Sequence, residues 1–298
     1  MKRIKLNLFY CWLFALLGLP AFTTVNAMER KQLLDAGWRF ALGDVADAAQ
    51  TDFDDADWRT VNLSHDWSVE ADFDAEAPAG NDGGYLPTGI GWYRKTFYAD
   101  KALQGKTLRL YFEGVYMNSE VFVNGECAGG HPYGYSSFFC DITPYLRFGQ
   151  ENVVAVKVDN SQQKNCRWYT GSGIYRHVWL LTTEAMYIDD WSVYIRPVPQ
   201  KDTDDWKLDI TMRYVDGAQT GAKPEIRHTV YDEVGKAIAT STGGHMEQSF
   251  SINRPKLWSP DTPYIYKVCT QLIVGGKVTL KAVSKGLSSA SVTIRTKR

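Results

Sequence analysis

The sequence predicts an all-β protein made of two antiparallel β units, on three observations. From about Met28 to Met186 short runs alternate apolar and polar residues at the two-residue period of a strand, bounded by Gly, Asn, Asp and Pro. No helical stripe of three or more turns interrupts them. After Tyr187 a second series of short alternating runs follows, dense enough for an immunoglobulin-like sandwich.

The elements follow in chain order. Lys2, Arg3 and Lys5 precede a mostly apolar run from Leu6 to Phe22, and Val25-Asn26-Ala27 has the small-residue pattern of a secretory cleavage site. The run is shorter than the ~20 clean apolar residues of a membrane span and is broken by Pro20. Residues 1–27 therefore read as an export leader, and the expected location is secreted or periplasmic. No other stretch is long and apolar enough to span a bilayer.

In the first β unit, residues 28–188, Asp52 to Trp58 forms an acidic surface loop whose aromatics tack it to the sandwich. Leu108, Leu110 and Phe112 point to one face of a strand. Val121 and Val123 do the same before Asn124-Gly125, a dipeptide that favours a tight hairpin turn. Val154, Val156 and Val158 form a third set after Phe148-Gly149-Gln150. Trp92, Tyr93 and Trp179 read as core.

The second unit, residues 189–280, opens with Trp191, Val193 and Ile195 and pauses at Pro197 to Asp202, a hinge or inter-strand loop. Alternation resumes in Leu208, Ile210 and Met212, in Ile226, Thr229 and Tyr231, and in Phe250 and Ile252. After Asp261 no acidic residue occurs, while seven Lys and Arg accumulate between Lys267 and Arg298. Residues 281–298 are either a basic solvated terminus or the product of a reading frame lost near Gly276 to Thr279.

Composition narrows the function classes. The 298 residues are 44% hydrophobic and 22% charged, those of a folded globular protein. Formal net charge is −1, and without the leader 30 basic groups face 34 acidic ones, which excludes the electrostatic footprint of a nucleic-acid binder. Aromatic residues make up 13% of the chain and offer flat apolar faces to sandwich cores and sugar rings alike. Cys127, Cys140, Cys166 and Cys269 fit no zinc spacing and read as buried free thiols, so no metal or cofactor is expected.

The chemistry-bearing stretch runs Leu63-Ser64-His65-Asp66-Trp67 and ends in Gly83-Gly84-Tyr85-Leu86-Pro87-Thr88-Gly89-Ile90-Gly91-Trp92-Tyr93-Arg94. It is a glycine-rich loop carrying a histidine, a carboxylate and aromatics, suited to line a polar pocket. Its glycines lack the spacing of a phosphate loop between strand and helix. A second block is Asn165-Cys166-Arg167-Trp168-Tyr169-Thr170-Gly171-Ser172-Gly173-Ile174-Tyr175-Arg176-His177-Val178. Phe112-Glu113-Gly114-Val115-Tyr116 with Val121 to Gly125, and Leu257 to Tyr266, complete the set.

These four blocks, in this order, closely resemble the β-galactosidase branch of glycoside hydrolase family 2, with Ser64 standing where the family signature has Pro. The resemblance implies an N-terminal jelly-roll β-sandwich that binds sugar, then an immunoglobulin-like β-sandwich, then a (β/α)₈ barrel holding the catalytic carboxylates. A retaining glycosidase needs two carboxyl groups about 5–5.5 Å apart. The family's acid/base is a Glu directly after an Asn, and no Asn-Glu dipeptide occurs in the sequence. A barrel takes about 250 residues, and only 32 follow Tyr266. No catalytic residue is therefore assigned. The chain is expected to be the non-catalytic N-terminal part of a secreted β-galactosidase-like glycosidase of carbohydrate metabolism.

The expected partner is a carbohydrate of the β-galactoside type. Asp66 is the leading substrate-binding candidate, because a carboxylate accepts from two neighbouring sugar hydroxyls, or else it braces its own loop. His65 is read more as loop packing than as a ligand, since nothing near it in sequence supplies a partner. Arg167 offers a planar fork to a sugar or carboxylate, or pins its block to the barrel face. Trp168 and Tyr169 stack on a pyranose if they are exposed and belong to the core if not. Glu113 and Glu184 read as structural. A stand-alone carbohydrate-binding module and a purely structural assembly piece are the competing readings, and an exposed barrel-facing surface predicts self-association.

Overall fold

A computed structural model of the chain describes residues 31–285 and 291–294. The expected leader and residues 286–290 and 295–298 of the basic tail lie outside the described residues.

The first sandwich contains β1 (Lys31–Leu33), β2 (Trp38–Leu42), β3 (Arg59–Val61), β4 (Gly89–Ala99), β5 (Lys106–Phe112), β6 (Ser119–Val123), β7 (Glu126–His131), β8 (Phe138–Asp141), β9 (Gln150–Asn160) and β10 (Val178–Glu184). They form a four-stranded sheet in the order β1-β10-β5-β8 and a six-stranded sheet in the order β3-β2-β4-β9-β6-β7. The neighbours pair antiparallel, as a jelly roll requires. Leu108, Leu110 and Phe112 from one sheet meet Val121, Val123, Val154, Val156 and Val158 from the other, all buried in one core. At the hairpin between β6 and β7, Asn124 and Gly125 take φ of 52° and 90°, the positive pair that a two-residue turn demands.

Parity on β4 divides its aromatics. Tyr93 enters the main core, whereas Trp92 lies on the outer face under the loop of residues 43–58, packed with Ala48 and Ala155. Arg94, on the same outer face, holds that loop: its guanidinium donates to Asp55 at 2.8 Å and to the carbonyls of Ala48 and Gln50. Trp179 departs from its expected core role. It is half-buried on the outer face of β10, donates to Glu113 at 2.8 Å and carries the Lys31 ammonium 3.8 Å above its ring. Glu113 and Glu184 are structural, the latter paired with Lys106 at 2.5 Å.

The second sandwich contains β11 (Met186–Ile188), β12 (Tyr194–Pro199), β13 (Trp206–Thr211), β14 (Tyr214–Asp216), β15 (Glu225–Tyr231), β16 (Ala237–Gly243), β17 (Glu247–Ile252), β18 (Lys267–Val274), β19 (Lys277–Lys285) and β20 (Ser291–Ile294). Three strands in the order β12-β13-β17 face five in the order β16-β15-β18-β19-β20, with a small β11-β14 sheet beside them. Met186, Tyr187 and Ile188 pack in this second core, ahead of the expected boundary at 188, and β19 runs on to Lys285. Pro197 and Pro199 lie inside β12 rather than in a hinge: β12 is an edge strand, where a missing N–H costs no ladder bond. On β15 the inward residues are Ile226, His228 and Val230; Thr229 and Tyr231 have the opposite parity. Trp191 is 61% exposed, at the junction where it contacts Tyr111 and Phe139 of the first sandwich. Arg109 bridges that junction by pairing with Asp190 and lying 4.3 Å over the Tyr187 ring. Cys140 and Cys269 are buried, but Cys127 is exposed and Cys166 half-buried, so the buried-thiol expectation fails for those two.

Candidate functional site

β4 begins and β9 ends at the Gly89–Asn160 pair, so the loops flanking both strands converge at that end of the six-stranded sheet. There the signature loop docks on the second block through backbone bonds from His65 N–H to Ile174 O, 2.9 Å, and from Trp67 N–H to Ser172 O, 3.1 Å. Alternation then sends His65 and Trp67 into the core and Asp66 and Ser68 toward Tyr169 to Ser172.

The two glycines of the Thr-Gly-Ser-Gly-Ile run make this docking possible. Gly173 has φ of 124°, and a Cβ there would overlap the Tyr93 hydroxyl and come within 2.7 Å of the His65 carbonyl oxygen. Gly171 has φ of 73°, and its Cβ would lie 2.5 Å from the Asp66 carboxylate.

Asp66 is half-buried and holds three donors. Its Oδ1 accepts from the backbone N–H of Ser68 at 3.0 Å and of Ser172 at 2.9 Å. Its Oδ2 accepts from the Tyr169 hydroxyl. Burial, then the Asp66 carboxylate, push the Tyr169 phenol upward, so it remains a donor. A carboxylate has about four acceptor positions, which leaves Asp66 one for a ligand.

His65 lies in the interior, 5% exposed, and its partners come from elsewhere in the fold. Nδ1 is 2.6 Å from the Tyr93 hydroxyl, and Nε2 is 3.0 Å from the Arg59 guanidinium and 3.3 Å from Glu70, which also pairs with Arg59. Burial lowers the His65 pKa against the opposing pull of Glu70, and burial raises that of Tyr93. Both ring nitrogens are thus engaged, Nδ1 by the Tyr93 hydroxyl and Nε2 by the Arg59–Glu70 pair, and the tautomer sets the direction of each bond. The sequence neighbourhood was expected to offer His65 no partner, yet Glu70 is five residues on. With both ring nitrogens engaged, His65 positions the loop.

Sequence reasoning missed the polar floor beneath Asp66. Ser68 Oγ donates to the Pro87 carbonyl at 2.5 Å and lies 2.7 Å from Ser172 Oγ, Asn160 Nδ2 donates to Ser172 Oγ at 2.8 Å, and Asn165 Nδ2 donates to Asn160 Oδ1 at 2.9 Å. Only the blocks' shared loop character hinted at it. The crevice above this floor, bounded by Ser68, Gln163, Trp168 and Tyr169, has about 10 Å³ open to a water-sized sphere, enough for one water and too little for a pyranose.

The open surface beside the crevice is aromatic. Trp168 is 62% and Tyr169 39% exposed, with Tyr133 and Tyr135 exposed alongside. Trp168 Nε1 donates to the Tyr135 hydroxyl at 3.4 Å, and Tyr135 meets Tyr116 and Tyr133 edge-on. Arg167 is exposed next to this cluster and makes no hydrogen bond or ion pair among the described residues. The surface thus presents flat apolar rings, a guanidinium fork and one carboxylate acceptor.

Family models match the chain over residues 31–184, as the sugar binding domain of glycosyl hydrolases family 2, and over residues 186–285, as glycosyl hydrolases family 2. A β-galactosidase of Bacteroides ovatus, BoGH2A, is 42% identical over 86% of this chain and 31% of its own length. A β-glycosidase structure from Bacteroides vulgatus superposes with a TM-score of 0.77 at 36% identity, covering 86% of this chain and 33% of that one. A Bacteroides uniformis β-glucuronidase superposes with a TM-score of 0.71 at 25% identity, covering 86% and 32%. The chain spans about a third of the length of the relatives it matches.

Proposed function

The chain belongs to glycoside hydrolase family 2, and from that membership we propose that its two sandwiches are the non-catalytic, sugar-contacting N-terminal part of an exported β-galactosidase-like glycosidase that acts in carbohydrate metabolism. The observation that carries the reading is the exposed Trp168–Tyr169 surface beside the one open acceptor position of Asp66. A pyranose has an apolar C–H face and an equatorial fringe of hydroxyls. Trp168 takes the face, Asp66 accepts from a hydroxyl, and Arg167 donates to another.

Hydrolysis needs a second carboxylate at a defined distance from the first, and the acidic groups named around this surface are each held in an ion pair. Glu70 pairs with Arg59, Asp82 with Lys164, and Glu113 with Trp179 and Arg176. The identity with a β-galactosidase supports a β-galactoside as the sugar. The basic and apolar pattern of residues 1–27 supports export. Exposed Trp168, Tyr133 and Tyr135, together with Leu257 and Trp258, support self-association of the isolated chain.

The test is release of nitrophenol from an aryl β-galactoside by the purified chain at high concentration. The reading expects no turnover above a matched blank; turnover overturns it. The exposure of Trp168 also favours a second reading, a carbohydrate-binding module that works on its own. Saturable binding to an insoluble galactan by the two sandwiches alone favours that module.

A further inference from the structure

We infer that the signature loop serves two surfaces and that its far side, away from Asp66, forms a separate sugar-binding groove over β2, between residues 57–59 and residues 67–71. The groove has about 460 Å³ of open space, within the range of small-ligand sites, about 300–1,000 Å³. Phe40 and Trp67 lie in its floor, Trp58 in its wall, and Asp57, Arg59 and Glu70 at its rim.

Three features suit it to a neutral pyranoside. Trp67 is 3% exposed and its Nε1–H has no acceptor, an orphaned buried donor of a kind native structures rarely leave unmatched. At the rim Asp57 is exposed and makes no side-chain bond among the described residues, and Glu70 uses only Oε2, so two acceptors stand free. The half-buried Trp58 and the Arg59 guanidinium, 5.3 Å over the Phe40 ring, supply an apolar wall with a donor at its edge. Aromatic surface flanked by both donors and acceptors matches the alternating C–H and O–H faces of a sugar. The opposed charges of Arg59 against Asp57 and Glu70 favour a neutral ligand over an anion.

The lining keeps the groove distinct from the Asp66 surface. Trp67 and Glu70 line the groove, whereas Ser68 lines the crevice and Asp66 accepts from the Ser172 N–H. The inference stands without the Trp168 reading, and the experiment separates the two.

The probe is lactose, titrated into the purified chain while the indole N–H resonances are followed by NMR, with the Trp67 signal assigned from Trp67→Phe. The inference predicts that the Trp67 Nε1–H resonance moves downfield saturably as it gains an acceptor. Asp57→Ala, which removes no internal contact, weakens that response about tenfold, and Trp168→Ala leaves it unchanged. A Trp67 signal that stays still while lactose shifts Trp168 overturns the groove and leaves the Trp168 surface standing. A chain in which no indole responds overturns both. A Trp67 response that vanishes in Trp168→Ala assigns the shift to the Asp66 side and overturns the groove.

Discussion

Replacing Asp66 by alanine distinguishes a carboxylate that holds the site together from one that only touches sugar. The backbone donors of Ser68 and Ser172 belong to residues 1% and 0% exposed, so losing the carboxylate leaves two poorly hydrated donors without their charged acceptor. Each hydrogen bond to a charged acceptor contributes about 1.5–3 kcal/mol. The Tyr169 hydroxyl sits on a residue that is 39% exposed and is resolvated at little cost. The expected loss is therefore about 3–5 kcal/mol, nearer the lower figure because Asp66 is itself half-exposed. In a domain of about 150 residues that lowers the midpoint of the first sandwich by about 6–20 °C. Asp66→Asn keeps an oxygen for both backbone donors and is expected to cost about 1 kcal/mol. The assay is urea denaturation followed by tryptophan fluorescence, with calorimetric titration of lactose on the same samples. A stable Asp66→Ala protein, within about 0.5 kcal/mol of the parent, that has lost lactose binding refutes the bracing role.

Three further outcomes follow from the same geometry. Gly173→Ala forces a Cβ against the Tyr93 hydroxyl and the His65 carbonyl at φ of 124°, so it is expected to cost about 3 kcal/mol or more, read as a lowered urea midpoint; a parent-like midpoint contradicts it. Arg94→Met leaves the carbonyls of Ala48 and Gln50 without their buried donor, and limited proteolysis is expected to cut the loop of residues 43–58 several-fold faster, while unchanged cleavage contradicts the anchoring role. His228 is fully buried, its ring bonds among the described residues only to Thr270, and burial holds its pKa at about 4 against an ordinary 6.5. The fold thus prefers the neutral ring: its stability is complete above pH 6.5, falls as pH drops toward 4 by about 3 kcal/mol, and levels off below. His228→Leu is expected to remove that slope between pH 6.5 and 4, and equal slopes in both proteins contradict it.

The strands were legible because a half-buried strand repeats every two residues, and Leu108, Leu110 and Phe112 on β5 and Val154, Val156 and Val158 on β9 keep that period. The Asn124-Gly125 hairpin was legible because its φ values are chemically dictated. Misreadings arose where a residue's face is set by a distant partner. His228 takes an inward position on β15 because Thr270 on β18 meets it, and an apolar count passes over a histidine. Trp179 turns outward to Glu113 and Lys31. Pro197 and Pro199 resemble a loop until the sheet order makes β12 an edge. At the site, Asp66 was visible from its motif. The Ser68–Ser172–Asn160 floor was not, because its bonds join residues 104 and 12 positions apart across separate loops and leave no local pattern.

The central claim is that the Trp168 surface beside Asp66 holds a β-galactoside. A pyranose covering about 60 Å² of the indole at about 25 cal/mol/Å² contributes about 1.5 kcal/mol, about tenfold in affinity. The direct measurement is calorimetric titration of methyl β-galactoside into the purified chain and into Trp168→Ala, a substitution at a 62% exposed side chain. The account predicts saturable binding by the parent that weakens about tenfold in the variant. No saturable heat, or isotherms that coincide, contradicts it.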